Sequence, residues 1–212
     1  MSLIKSKKFI LSLVAFSFFL SALYNLFLLN QYIQKARSTQ KAKQTEQPIH
    51  RLPVYGRIEN FQLMDTDNQT FGLKNLEGKI WLADFVFTTC SGPCPILSAN
   101  MRGLHQSFSA DKRVAFVTIS VNPEYDSSQI LSAYAQRFSA DTTQWHFLTG
   151  KREDIQHLAV DSFKVGSVDQ PIFHSSYFIL VDAKGYIRGY YEGTDAESIK
   201  KIQGDLQVLI KE

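Results

Sequence analysis

From residue 80 onward, short apolar runs rich in β-branched and aromatic residues alternate with segments of helical length and spacing. The runs predict five strands, at Ile80 to Phe87, Val114 to Val121, Trp145 to Leu148, Tyr177 to Val181 and Tyr186 to Tyr191. The segments predict four helices, at Pro95 to Phe108, Ser127 to Phe138, Arg152 to Phe163 and Glu197 to Ile210. This alternation predicts an α/β fold with a largely parallel central sheet flanked by helices.

A β-hairpin is predicted ahead of this core, in the stretch from Gly56 to Phe71, where an Asp-Asn turn separates two short strands. A second turn, Asp182 to Gly185, is expected to join the last two strands of the core. Residues 52–212 are long enough to form one domain with its own hydrophobic core.

An uncharged apolar run occupies residues 9–29. At ~1.5 Å of rise per residue, a helix of this length can cross ~30 Å of hydrocarbon. A cleavable signal peptide is the alternative, but its apolar region spans only ~7 to 15 residues and ends at a small-residue cleavage site. Tyr24 to Leu29 offers no such site. An uncleaved transmembrane anchor is therefore favoured.

The charges beside this run bear on its orientation. Lys5, Lys7 and Lys8 favour a cytoplasmic N-terminus, while residues 30–50 place a comparable positive charge on the other flank. We expect residues 1–8 to be cytoplasmic, residues 9–29 to form the anchor, residues 30–51 to be a flexible linker and residues 52–212 to form the domain. Because the N-terminus lacks an Arg-rich transit peptide, we expect a single-pass protein of the bacterial inner membrane whose domain faces the periplasm.

The positive charge of the chain is confined to its membrane-flanking part. Residues 1–50 carry seven of the 23 Lys and Arg residues and only one acidic residue, so the rest of the chain is slightly acidic although the net charge is +3. The basic balance therefore predicts no nucleic-acid partner.

The only two cysteines, Cys90 and Cys94, follow the first core strand directly and precede the first core helix. A helix N-terminus favours a thiolate over a thiol, and a spacing of four brings two side chains to one face. The pair can bond to each other, bind a metal or react with a redox partner. A merely structural disulfide is disfavoured because so small a loop gains little from closure.

Four motifs resemble the Sco/SenC family. Phe85 to Pro95 resembles its Phe-x-x-Cys-x-x-x-Cys-Pro signature, and Ile119 to Glu124 with Asp126 resembles its Ser-x-Asp-Pro-Glu-x-Asp stretch. Leu148 to Gly150 is similar to the family's Leu-Thr-Gly segment. The stretch from His174 to Asp182 is similar to the family's histidine that precedes a strand and a turn. Members of this family are membrane-anchored copper proteins with a thioredoxin-like fold that help assemble cytochrome c oxidase.

The resemblance implies a copper site formed by Cys90, Cys94 and His174, holding Cu(I), Cu(II) or both. It also implies a partner, the copper-receiving subunit of cytochrome c oxidase, and further partners among copper chaperones or thiol-disulfide oxidoreductases. Asn122 departs from the family, which usually has aspartate there. We assign no functional role to Asn122, Glu124 or Asp126.

Two functions follow as hypotheses. The first is a metallochaperone that binds copper through two cysteines and one histidine. The alternative is a thiol-disulfide oxidoreductase in which Cys90 and Cys94 reduce partner cysteines. Three residues separate the two cysteines, and Thr89 precedes the first. Thioredoxin-like reductases have two residues between their cysteines and a tryptophan before the first, so copper binding is favoured. A peroxidase is disfavoured because the chain has no separate resolving cysteine.

Overall fold

The computed structural model describes residues 20–21, 23–35, 51–166 and 176–212. The chain divides into two compact units, residues 1–50 and 51–212. In the first unit, the described residues are helical and exposed. Within the described ranges, no helix is both long and apolar enough to span a bilayer. The predicted N-terminal segment 1–8, most of the predicted anchor and part of the predicted linker lie outside the described residues.

The described residues of the second unit include eight strands. They are β1 (Gly56–Arg57), β2 (Gln62–Met64), β3 (Thr70–Gly72), β4 (Ile80–Val86), β5 (Val114–Ser120), β6 (Trp145–Leu148), β7 (Tyr177–Val181) and β8 (Tyr186–Glu192). Six of them form a sheet in the order β1-β8-β7-β4-β5-β6. β2 and β3 pair as a separate hairpin, which confirms the predicted hairpin within narrower bounds.

The central sheet is mixed. β4 and β5 are parallel, as are β5 and β6. The other three pairings, β4 with β7, β7 with β8 and β8 with β1, are antiparallel. The prediction of a largely parallel sheet is therefore wrong for one side. A tight turn at Gly185 (φ 82°) sends the chain straight back from β7 into β8, so no helical crossover intervenes.

Helices cover both faces of the sheet. They are α1 (Cys94–Phe108), α2 (Ser128–Arg137), α3 (Arg152–His157) and α4 (Ala196–Lys211). Side chains of α1, α2 and α4 form one core with the β4 residues Leu82 and Val86. The hairpin and α3 form a second core with Trp81 and Phe85. The helix predicted to reach Phe163 is α-helical only to His157 and continues as a π-helical turn.

A buried arginine joins the entry of the domain to its end. The Arg188 guanidinium is almost fully buried and donates to Asp182 at 2.9 Å and to Glu212 at 3.3 Å. It also donates to the backbone carbonyls of Leu52, at 2.8 Å, and Pro53, at 3.2 Å. These four partners satisfy a charge that would otherwise be costly to bury. Arg188 thus fixes the first residues of the domain against the β7-β8 turn and the C-terminus.

Replacing Arg188 by Met should lower the free energy of unfolding of residues 51–212 by about 3 kcal/mol, since two carboxylates and two carbonyls lose a buried donor. Urea titration measures this loss. Lys200→Met serves as the control because its ion pair with Glu197 is highly exposed, and it should cost less than ~1 kcal/mol. Equal losses in the two variants would refute the structural role of Arg188.

Candidate metal and redox site

The two cysteines lie where a buried strand ends and a helix begins. β4 ends at Val86, and the N–H of Cys90 donates to the carbonyl of Phe87 at 3.1 Å, which turns the chain. α1 then begins at Cys94, and the carbonyl of Pro93 accepts its first hydrogen bonds at 3.0 Å. This is the carboxyl edge of the parallel strands, where binding sites of α/β sheets collect.

The two thiols are unbonded to each other and differ in exposure. Cys94 is 3% exposed and packs in the core with Leu97 and Met101 of α1, whereas Cys90 is partly exposed. A bound ion or a partner sulfur would therefore reach Cys90 from solvent, while Cys94 forms the floor of the site.

The environment of Cys90 favours its thiolate. Partial burial alone would raise the pKa of the Cys90 thiol. Hydrogen bonds from the Cys94 thiol and from the backbone N–H groups of Cys94 and Gly92 outweigh that effect and lower the pKa. Cys90 is thus the more nucleophilic thiol of the pair and the readier ligand for a soft metal.

Cys94 has the opposite tendency. Burial is the main cause that raises the pKa of the Cys94 thiol, and the neighbouring Cys90 and the Asp84 carboxyl raise it further. A proton therefore stays on Cys94 until a metal or a disulfide replaces it. The pair is asymmetric: the pKa of the Cys90 thiol is lowered, whereas that of the Cys94 thiol is raised.

Asp84 is a carboxyl group inside the core. It is fully buried on β4, and neither of its oxygens has a hydrogen-bond partner within the described part of the chain. Burial raises the pKa of Asp84 to about 7, and the Thr118 hydroxyl, opposite it on β5, offsets this only in part. That hydroxyl accepts a hydrogen bond from the Trp145 indole at 2.9 Å.

A second buried carboxylate, Asp126, holds the chain that leads to the cysteines. It is fully buried and accepts hydrogen bonds from the backbone N–H and hydroxyl of Thr88 and from the Ser120 hydroxyl. No role was assigned to Asp126 from the amino-acid sequence. Its only signal was its place in the family-like motif. By contrast, Glu124 forms a surface ion pair with Arg152.

The third predicted ligand, His174, lies in residues 167–175, outside the described residues. Its placement stays a prediction. In the described ranges, no group of three or more His, Cys, Asp or Glu side chains is arranged to hold a metal ion. The structure brings Cys90 and Cys94 together, and these are two of the three predicted ligands.

Ser176, the first described residue after His174, lies beside Gly193, which in turn contacts α1. The carbonyl of Ser176 accepts a hydrogen bond from the N–H of Gly193 at 2.7 Å. A Cβ at Gly193 would lie 2.4 Å from the side chain of Leu97, which is less than one turn beyond Cys94. β7 is antiparallel to β4, so its first residue lies at the edge where β4 ends.

The family model for SCO1/SenC matches residues 55–211, which is most of the chain. The chain belongs to the SCO1/SenC family. It is 35% identical to a SCO1/SenC family lipoprotein from Bacillus anthracis, with a TM-score of 0.66 over 73% of this chain and 95% of that one.

Two further solved SCO1/SenC proteins are similar to this chain. BsSco, a member of the Sco family of cytochrome c oxidase assembly proteins with a disulfide switch, is 30% identical, with a TM-score of 0.65 over 74% of this chain and 95% of that one. Bradyrhizobium japonicum ScoI, solved with copper bound, is 23% identical, with a TM-score of 0.60 over 73% of this chain and 99% of that one. The fold is thus that of the Sco proteins.

Asp84 should make the stability of this SCO1/SenC domain fall as pH rises. Its native pKa of about 7 lies above the ordinary value of 3.8, so the folded state holds the proton more tightly. The stabilising contribution is complete below pH 3.8 and is lost as pH rises through 7. At about 1.4 kcal/mol per pKa unit, the difference reaches roughly 4 kcal/mol.

Urea unfolding of residues 51–212 at pH 5 and pH 8 measures the part of this loss that falls between pH 5 and 7, about two pKa units or roughly 3 kcal/mol. Asp84→Asn should remove most of the loss between the two pH values, because an amide does not ionise. Asp154→Asn, at an exposed position on α3, should leave the loss unchanged. A wild-type-like pH dependence in Asp84→Asn would show that Asp84 is not the responsible group.

Proposed function

We propose that this chain binds copper through Cys90, Cys94 and His174 and assists assembly of the copper centre of cytochrome c oxidase. The observation that carries the proposal is the pair of free thiols at the start of α1, one partly exposed with a lowered pKa and the other buried in the core with a raised pKa. Copper-bound ScoI and the oxidase-assembly role of BsSco add support from the same family.

The donor set suits copper. Thiolates are soft ligands that favour Cu(I), and an imidazole completes a set that also accommodates Cu(II). Cys90 is partly exposed, so an ion can be passed in or out without opening the core. The return of the chain at Ser176 beside α1 supports His174 as the third ligand, since only one residue separates the two.

The residues divide the work of binding. Cys90 offers a thiolate at the solvent side, and Cys94 gives up its proton as it becomes a ligand. Because the Cys94 pKa is raised, binding releases a proton and the affinity should increase with pH. An ion held this way is bound tightly but remains accessible at Cys90, which suits delivery to a partner.

Thiol-disulfide exchange is the second candidate function. The same asymmetry would let the Cys90 thiolate attack a partner disulfide and the Cys94 thiol resolve the mixed disulfide. The disulfide switch of BsSco favours this reading. A histidine ligand has no part in simple dithiol exchange, so His174 separates the two functions.

The proposed partner is the copper-receiving subunit of the oxidase, with other copper chaperones or thiol-disulfide oxidoreductases as further partners. We propose that residues 9–29 anchor the protein in the bacterial inner membrane and that the domain faces the periplasm. The similar Bacillus anthracis protein is a lipoprotein, which supports attachment to a membrane.

His174→Ala should weaken copper binding by residues 51–212 at least about tenfold, which corresponds to ~1.4 kcal/mol for the lost ligand. Competition with a chromophoric Cu(I) chelator on the reduced domain measures the affinity. His157→Ala is the matched control because this histidine is exposed on α3, on the other face of the sheet. The copper affinity of this variant should equal the wild-type value.

Cys90→Ser should abolish both copper binding and disulfide formation, because a hydroxyl is a poor soft-metal ligand and cannot form the bridge. His174→Ala should leave disulfide formation intact. Wild-type affinity in His174→Ala would remove His174 from the site and make thiol-disulfide exchange the leading function.

A further inference from the structure

Asp126 belongs to the loop that leaves β5, and its buried side chain contacts the loop that leaves β4. Its carboxylate accepts the Thr88 N–H at 3.1 Å, the Ser120 hydroxyl at 2.6 Å and the Thr88 hydroxyl through its other oxygen. We call these three residues the Asp126 network. Within the described part of the chain, every ion pair involves other acidic residues, and no cationic side chain pairs with Asp126.

A buried carboxylate without a cation is an expensive feature. The free-energy cost of burying a carboxylate exceeds that of burying an apolar residue of similar size. Only hydrogen bonds to both carboxylate oxygens can offset this cost. Here the donors come from Thr88, in the loop after β4, and from Ser120, the last residue of β5. The network therefore adds little that packing could not supply, except a fixed spatial relation between the loops that leave β4 and β5.

One of these loops carries Cys90. Thr88 is two residues before Cys90, and the N–H of Cys90 donates to the carbonyl of Phe87 at 3.1 Å. The carboxylate holds both the backbone and the side chain of Thr88, so the turn that presents Cys90 starts from a fixed point. Cys94 is fixed separately, through its packing with Leu97 in the core.

The other loop follows β5. The Ser120 hydroxyl, which donates to Asp126, also accepts the N–H of Asn122 at 3.1 Å. The carbonyl of Asn122 in turn accepts the N–H groups of Tyr125, at 3.1 Å, and Asp126, at 2.9 Å. Asn122 takes part through its backbone. The same carboxylate thus braces both loops at the carboxyl edge of the sheet.

We propose that Asp126 is a positioning residue that sets where Cys90 lies relative to Cys94, and so tunes how readily the two sulfurs form a disulfide or bind copper together. Loosening the network moves Cys90 while Cys94 stays with α1. The copper part of this inference rests on the proposed function. The disulfide part rests only on the two cysteines.

The test is the equilibrium of residues 51–212 with dithiothreitol. In this exchange the Cys90–Cys94 dithiol passes two electrons and two protons to oxidised dithiothreitol and becomes a disulfide. Residues 51–212 form a compact unit with two cores of their own, so they are a suitable fragment. Asp126→Ala should shift the equilibrium constant by about tenfold, or ~30 mV for a two-electron couple.

Two milder variants keep the test independent of folding. Asp126→Asn retains one acceptor oxygen, so it should shift the equilibrium constant less than Asp126→Ala does. Thr88→Val removes only the hydroxyl donor while keeping the shape and the N–H, so it should shift the constant in the same direction by a smaller factor. Combined with Asp126→Asn, it should add less than the sum of the two changes, since both act through one network.

Ser128→Ala is the matched control. Ser128 is buried two residues after Asp126, but its hydroxyl donates to the carbonyl of Asp65 at 2.8 Å, away from the cysteine loop. It should lower the free energy of unfolding and leave the dithiol equilibrium within about twofold of wild type, whereas a structural role alone would move both together. An equal shift in Ser128→Ala would overturn the proposal.

Copper affinity, measured on the same variants, separates the two inferences. Parallel shifts in affinity and in the dithiol equilibrium would support both. A wild-type domain that binds no copper, with Asp126→Ala still shifting the dithiol equilibrium, would overturn the proposed function and support the positioning role. An unchanged dithiol equilibrium in folded Asp126→Asn and Thr88→Val would overturn the positioning role.

Discussion

β4 is buried along its whole length, and this constraint decides where the chemistry of the domain can lie. It pairs with β5 on one side and β7 on the other, and its side chains fill both cores. Because every residue of β4 is buried, exposed reactive side chains can lie only beyond its carboxyl end, in the segment that leads to α1. The two cysteines lie at that end, so the packing of one strand delivers one thiol to the surface and the other to the core.

Asp84, Cys90 and Cys94 lie near one another, and the burial and hydrogen bonding of each group set its pKa. Cys94 keeps its proton because it is buried next to Cys90 and Asp84, while Cys90 is stabilised as a thiolate by the N–H groups around it. Asp84 has no hydrogen-bond partner among the described residues, which makes its carboxyl costly to ionise. A site that releases protons when it binds or oxidises is the direct outcome of this arrangement.

Much of the fold could be predicted from the sequence. The runs at Ile80 and Val114 are rich in β-branched and aromatic residues, and both form buried strands within one residue of their predicted ends. The first two residues of the predicted hairpin, Gly56 and Arg57, form β1 and pair with β8, which the sequence could not predict because this pairing depends on tertiary packing. Asp126 was missed for a similar reason, since its donor Thr88 is distant in sequence. The cysteine pair was found because it is adjacent to a strong strand signal.

X-ray absorption at the copper edge of the reduced, copper-loaded domain tests the central claim most directly, because it counts the ligands without assuming their identity. We expect two sulfur neighbours, from Cys90 and Cys94, and one imidazole nitrogen. A shell with one sulfur or none would contradict the claim and would leave the pair as a redox device alone.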